Sequence, residues 1–400
     1  MLVVGVLALG YNLRGAITSL PPVFPELQNS LGLSATAISI LAAAPVICFG
    51  VVSGFAAVLA RRAGEERVLL GAIIVLVVGL VARGAAPAAL LFPGTIAASG
   101  AIAVMNVLLS SLIKRRWPER AGFLIGLYIS ALSAGAIVGS LVSVPLWQGT
   151  GGSVALTLGW LAAPAALAAL LWLPQLSSGR GDTPYRKPAG HRSTARVALY
   201  RRAVTWHVTL FMGMQSLVYY ATLSWLPTML RDRGESAAGA GDLLALMGVG
   251  NLAVSLLVPV AAQRMRSQVT LVVPTVIAVA GGLAALLYAP LGGAVAWALI
   301  LGAGQNASLA LAIFFTTART PDAATAASLS SFAQAVGYLL ASAGPLEVGL
   351  LHSATGGWTL PVAVLFAFCA VMLASGILAA RPRMLPAVLA AAALETEGTA

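Results

Sequence analysis

The chain has 400 residues, 59% of them hydrophobic and only 9% charged, with a formal net charge of +11 and a mean hydropathy of +0.94. That is more apolar surface than a soluble core could bury, which excludes an ordinary globular enzyme and points to a polytopic membrane protein. The two cysteines, Cys48 and Cys369, sit inside apolar runs with no metal-ligand or redox spacing around them, so they read as small core residues.

A membrane span needs about 18 consecutive apolar residues. The chain offers twelve such predicted helices, near 2–22, 35–60, 68–88, 90–113, 121–146, 154–174, 203–228, 239–262, 269–289, 291–317, 328–351 and 359–380. The first has no basic n-region and carries Arg14 in its middle, so it reads as a retained span rather than a cleavable signal. A guanidinium at that depth costs about 2.5 to 3.5 kcal/mol on insertion scales and normally faces a cavity or a partner. The third span carries Arg83 near its outer end, where snorkelling to the headgroups accounts for it. The fifth carries Gly135 and Gly139, a spacing that lets helices approach closely. Between the sixth and seventh lies the only long polar connection, rich in Gly, Pro and basic residues. The predicted organisation is an N-terminal six-helix bundle (1–174), a cytoplasmic linker (175–202), a C-terminal six-helix bundle (203–383) and a C-terminal tail (384–400).

Charge sets the orientation, because cytoplasmic loops collect Lys and Arg. With both termini inside, nineteen of the 23 basic residues fall on inner loops or termini, Arg231 and Arg233 on outer ones, and only Arg14 and Arg83 within spans. The positive balance is therefore topology, and no nucleic-acid partner is needed to explain it. The halves also run in parallel at an offset of a little over 200 residues. Gly100 to Gly139 holds a polar helix, a basic turn with Pro118 and a helix with Tyr128, and Gly304 to Gly349 repeats the order with Gln305, Asn306, Arg319, Pro321, Gln334 and Tyr338. Two such repeats imply one site at the bilayer midplane and alternating access.

Several motifs are fairly specific: Asn12-Leu13-Arg14-Gly15-Ala16-Ile17-Thr18-Ser19, Asn106-Val107-Leu108-Leu109 leading to Lys114-Arg115, Gly126-Leu127-Tyr128, Phe211 to Leu217, Trp225-Leu226-Pro227, and Gln334 with Gly337-Tyr338. In these the chain resembles the cyanate and 2-nitroimidazole transporter group of the major facilitator superfamily, from Asn12 to about Trp358. The resemblance implies an all-α membrane protein of twelve transmembrane helices in two pseudo-symmetric halves, which carries small anions or planar, weakly ionisable molecules across the inner membrane. It also implies that the first, fourth, seventh and tenth helices surround the cavity. Two positions depart from the family pattern: Gly15 stands where proline is usual, and Arg61 stands where the inner-loop signature has aspartate.

On that placement Arg14 lies about 18 Å along its helix, near the midplane, and its fork of donors suits a small carboxylate-like or linear anion. Tyr11 and Asn12 are its neighbours but occupy other faces at 100° per residue. Asn106, Gln215, Gln305, Asn306 and Gln334 offer amides, and Tyr128, Tyr219 and Tyr338 offer hydroxyls and a flat apolar wall. Tyr220 is a further hydroxyl, whereas Trp225 fits an outer aromatic belt. Among the twelve acids only Glu347 falls within a span, so a coupled proton travels through it or with the substrate. No P-loop is present, and nothing calls for a cofactor or a metal. The expected partners are a small molecule and the bilayer, the expected state is a monomer, and the expected activity is carriage rather than catalysis. An efflux carrier for small heterocyclic drugs and an anion channel are the competing readings.

Overall fold

The computed structural model describes residues 2–85, 88–177 and 201–385, and every regular element among them is helical. The first half comprises α1 (Leu2–Thr18), α2 (Phe24–Leu31), α3 (Ala35–Ala63), α4 (Glu65–Gly84), α5 (Leu91–Arg116), α6 (Ala121–Gly149), α7 (Val154–Gly159), α8 (Ala162–Trp172) and α9 (Pro174–Ser177). The second comprises α10 (Ala203–Asp232), α11 (Ala237–Arg264), α12 (Val269–Tyr288), α13 (Ala294–Ala318), α14 (Ala323–Ala341), α15 (Ala343–Thr355) and α16 (Thr359–Ala380). Most of the predicted linker and tail lie outside the described residues.

Each predicted span falls on helix, and nine helical segments among the described residues are long and apolar enough to cross a membrane. The spans that fall short of that measure are α10, α11 and the α14–α15 pair. For α10 the reason is visible, because Thr205, Thr209, Gln215, Ser216, Thr222 and Ser224 are buried along it, facing protein rather than lipid. Prolines break other spans, since a proline lacks an N–H and collides with the preceding turn. The first stops at Thr18, passes through a tight turn at Pro21–Val23 and resumes as α2. The predicted eleventh span is two helices, α14 and α15, parted at Ser342 ahead of Pro345.

Close helix approaches repeat between the halves. A Cβ built on Gly135 of α6 would overlap the Tyr11 carbonyl of α1, and one on Gly337 of α14 would meet Gly213 of α10 at 3.2 Å. Residues 11 and 135 thus correspond to 213 and 337, an offset of 202 in both cases. Likewise Gly79 abuts Ala98 and Gly282 abuts Leu301, with an offset of 203. Shared approach points at offsets of 202 and 203 are the packing signature of a duplicated unit.

The halves meet toward the end of the bundle where α1 and α10 finish. There Arg231 pairs with Glu26 at 2.8 Å, and Phe24 packs on Trp225 with ring centroids 6.0 Å apart. Trp225 is buried and donates to the Pro345 carbonyl at 2.7 Å, so it is a seam residue and not the interfacial anchor expected from its position. Trp358 extends the cluster by stacking on His352 at 3.7 Å and donating to Asp232 at 2.7 Å. At the opposite end the ion pairs stay within the first half, where Arg115 meets Glu65 and Arg116 meets Glu66 at 3.0 Å.

Candidate substrate-binding site

Arg14 projects from α1 one turn before its end at Thr18. The helix is seated against α6 because Gly135 and Gly139 admit its backbone, and the Thr18 hydroxyl donates to the Ala136 carbonyl at 2.9 Å. With that face occupied, the guanidinium points toward the second half. Its Nη1 donates to the Tyr219 hydroxyl at 2.5 Å, and its Cζ lies 5.2 Å from the centre of the Tyr219 ring. The other ionisable groups near enough to act on it are Tyr220, Tyr338 and Tyr128. Among the described residues no ion pair includes Arg14.

Around this guanidinium lies a cavity of about 350 Å³, counting its mouth, lined by Arg14, Gln215, Ser216, Tyr219, Tyr220, Gln305, Asn306, Leu309 and Tyr338. Arg14 alone comes from the first half. Tyr219 and Tyr220 meet edge to face at 5.0 Å, and Phe49 packs on both Tyr220 and Tyr338 at 6.2 and 5.8 Å, which gives the cavity flat aromatic walls. Gln215 is engaged, donating to the Ser216 hydroxyl at 2.6 Å and the Met212 carbonyl at 3.0 Å. Gln305 is different: it is buried, and neither its amide nitrogen nor its oxygen has a hydrogen-bond partner. Beyond Tyr220 is a second cavity of about 290 Å³, walled mainly by apolar residues such as Ile17, Leu20, Phe24 and Leu41.

A helical bundle with duplicated packing and a polar cavity at the meeting of its halves is the architecture of a carrier, and residues 6–345 match the sequence model of the Major Facilitator Superfamily. The chain belongs to the major facilitator superfamily. It is 35% identical to the 2-nitroimidazole transporter of Escherichia coli (strain K12) over 368 residues, covering 90% of this chain and 91% of that one. It is 29% identical to the cyanate transport protein CynX of the same organism over 362 residues, again 90% and 91% of the two chains. Among solved structures, a bacterial homolog of the human lysosomal transporter Spinster superposes with a TM-score of 0.72 at 19% identity, covering 98% of this chain and 95% of that one.

Within this facilitator, six of the residues expected at the site share the cavity: Arg14, Gln215, Tyr219, Gln305, Asn306 and Tyr338. The others do not line it. Asn12 points to the sixth span, where its Nδ2 donates to the Pro164 carbonyl at 3.3 Å and to Ala8 at 2.8 Å, as the helical angle between it and Arg14 requires. Tyr11 does not line the cavity, and its backbone is spent on the contact with Gly135. Tyr128 and Asn106 bond each other at 2.9 Å, tying α6 to α5. Gln334 donates to Ser330 on its own helix at 2.9 Å. Glu347 is exposed and does not line the cavity. Tyr220, the further hydroxyl, lines it too, while Ser216 and Leu309 join the lining without having been placed there from sequence. The repeat could have pointed to Ser216, which stands 202 residues after Arg14 at the offset that relates α1 to α10.

Arg83 overturns its sequence reading. It is 2% exposed, so it does not snorkel. Its Nη1 donates to the Ala16 carbonyl at 2.6 Å, and its Nη2 to the Leu158 carbonyl at 3.0 Å and the Ser19 hydroxyl at 3.4 Å. It therefore caps the broken end of α1 and ties it to α4 and α7, a basic side chain serving the orphan carbonyls of a helix C-terminus. Of the two arginines within spans, Arg83 bonds two carbonyls and a hydroxyl, and Arg14 has a hydroxyl at a cavity.

Proposed function

We propose that this multi-pass facilitator is a secondary active transporter for a small anion or small planar weak acid, cyanate-like or carboxylate-like, working by alternating access around Arg14. The observation that carries the reading is a permanently charged guanidinium at a central cavity whose ionisable neighbours are tyrosines rather than carboxylates. A neutral phenol leaves that charge uncompensated, so an anion gains more there than it would at an arginine already paired. The cavity's modest volume fits a small ligand, and its aromatic walls fit a flat one. The relatives whose names give cyanate and 2-nitroimidazole as cargo are consistent in size.

In this reading the protein is a monomer of the inner membrane with both termini cytoplasmic. The contacts between Glu26 and Arg231 and between Phe24 and Trp225 then close the outer side. The test is counterflow of cyanate and benzoate in proteoliposomes. Arg14→Ala and Arg14→Lys should each lose saturable uptake, because a point charge does not replace a fork. Retained benzoate uptake by Arg14→Ala would defeat the anion reading.

The relative named for 2-nitroimidazole favours a second reading, an efflux carrier for small neutral heterocycles in which Arg14 bonds a nitro oxygen. Arg14→Ala distinguishes it by losing benzoate while keeping most 2-nitroimidazole transport. A channel would show conductance linear in driving force in place of saturable counterflow.

A further inference from the structure

We infer that Gln305 is a specificity-determining residue, selecting a planar ligand that places an electron-rich oxygen group at Arg14 and, on another part of the ring, a neutral group that both donates and accepts a hydrogen bond. The inference rests on the anion reading above and goes beyond it to the class of ligand. A buried amide with neither half satisfied is uncommon, because desolvating a donor and an acceptor together is a standing cost to the folded state. Gln305 is 4% exposed and carries this cost on both atoms. Other polar groups of the lining are already engaged, Gln215 with Ser216 and Tyr219 with Arg14.

The helix that carries Gln305 is held closely beside it. A Cβ on Gly302 would overlap the Met247 backbone of α11, and one on Gly304 would lie 2.9 Å from the Val279 nitrogen of α12. Close approach on both sides fixes α13 in place, and the Gln305 side chain lines the same cavity as Arg14. The two residues ask for different chemistry. A guanidinium only donates, whereas a primary amide donates and accepts, so its complement is a hydroxyl, an amide or a ring N–H. The tyrosine walls of the same cavity favour a flat body joining the two groups.

Binding of benzoate, 4-hydroxybenzoate and 4-methylbenzoate to the purified full-length protein tests this, because the latter two are similar in size and differ in the polar group. The expected result is that 4-hydroxybenzoate binds about tenfold or more tightly than 4-methylbenzoate, since a site built to bond a hydroxyl rejects the analogue without one. Gln305→Leu should bring that ratio near one by weakening only the hydroxy compound. In the absence of ligand the same variant should melt no lower than the parent, because it removes two unsatisfied atoms. A ratio near one in the parent, or one that Gln305→Leu leaves unchanged, overturns the inference while Arg14-dependent benzoate binding keeps the anion reading intact. Benzoate binding that survives Arg14→Ala overturns the reading beneath it, and no binding of any of the three overturns both.

Discussion

Glu26 and Arg231 face each other at 2.8 Å across the seam between the halves, one residue just past the broken end of the first span and the other on the last turn of α10. Each side chain is about one-fifth exposed, at 17% and 25%. The pair therefore ties the two halves together at one end with an interaction that solvent weakens but does not abolish. Partly exposed pairs contribute up to about 1 kcal/mol. Glu26→Gln and Arg231→Gln should each shift the population toward opening at this end by a few-fold. The double variant should add little, and distance distributions between spin labels on the tips of α2 and α11 would report it. Equal distributions in parent and variants would show that the aromatic cluster alone holds the seam.

Tyr219 accepts from Arg14, so on the proposed reading an anion displaces or shares that hydroxyl. Tyr219→Phe should lower the melting temperature without ligand, because hydrogen bonds to charged groups contribute about 1.5 to 3 kcal/mol. Saturating benzoate should narrow the difference. A deficit that stays constant with ligand would mean Arg14 keeps Tyr219 in the bound state.

Arg83 and Arg14 separate architecture from transport. Arg83→Gln loses bonds to two carbonyls and a hydroxyl in the core, and should lower the melting temperature by on the order of 5 °C or more. Arg14→Ala, at a cavity, should melt within a few degrees of the parent yet fail in counterflow. Melting curves and uptake measured on the same preparations decide it.

The paired glycines give an asymmetric expectation. Gly135→Ala forces a methyl into the Tyr11 carbonyl and should cost about 3 kcal/mol or more, visible as lost yield or a much lower melt. Gly337→Ala meets its nearest atom, on the flexible Met212 side chain, at 3.1 Å and should be tolerated far better.

Glu347 is exposed and does not line the cavity. Glu347→Gln should keep full accumulation driven by a pH gradient, leaving a protonatable substrate as the route for any coupled proton. A loss of the gradient's effect in that variant would return the proton to this carboxylate.

The spans were legible because hydropathy integrates over some twenty residues and tolerates local error. Arg14 was legible because a charge in an apolar run has few destinations. What sequence missed depended on rotation and tilt. Asn12 and Arg14 are two residues apart, and only the packing of α1 on α6 decides which of them meets the cavity. Arg83 looked free to reach the headgroups because the chain does not show that α1 breaks beside it and leaves carbonyls to cap. Trp225 and Tyr220 read as interfacial or optional because their burial depends on partners from the other half. Gln305 and Asn106 looked equivalent as amides on repeated helices. Yet Asn106 spends itself on Tyr128, while Gln305 is left without a bond.

Eight of the nine cavity-lining residues belong to the second half, and only Arg14 reaches in from the first. On the proposed reading a passenger seated there is held mainly by the second half, and the Arg14 guanidinium is the lining contact that the first half makes with it. Retailoring such a carrier for new cargo then calls for edits on α10, α13 and α14, while the packing of α1 on α6 can stay as it is.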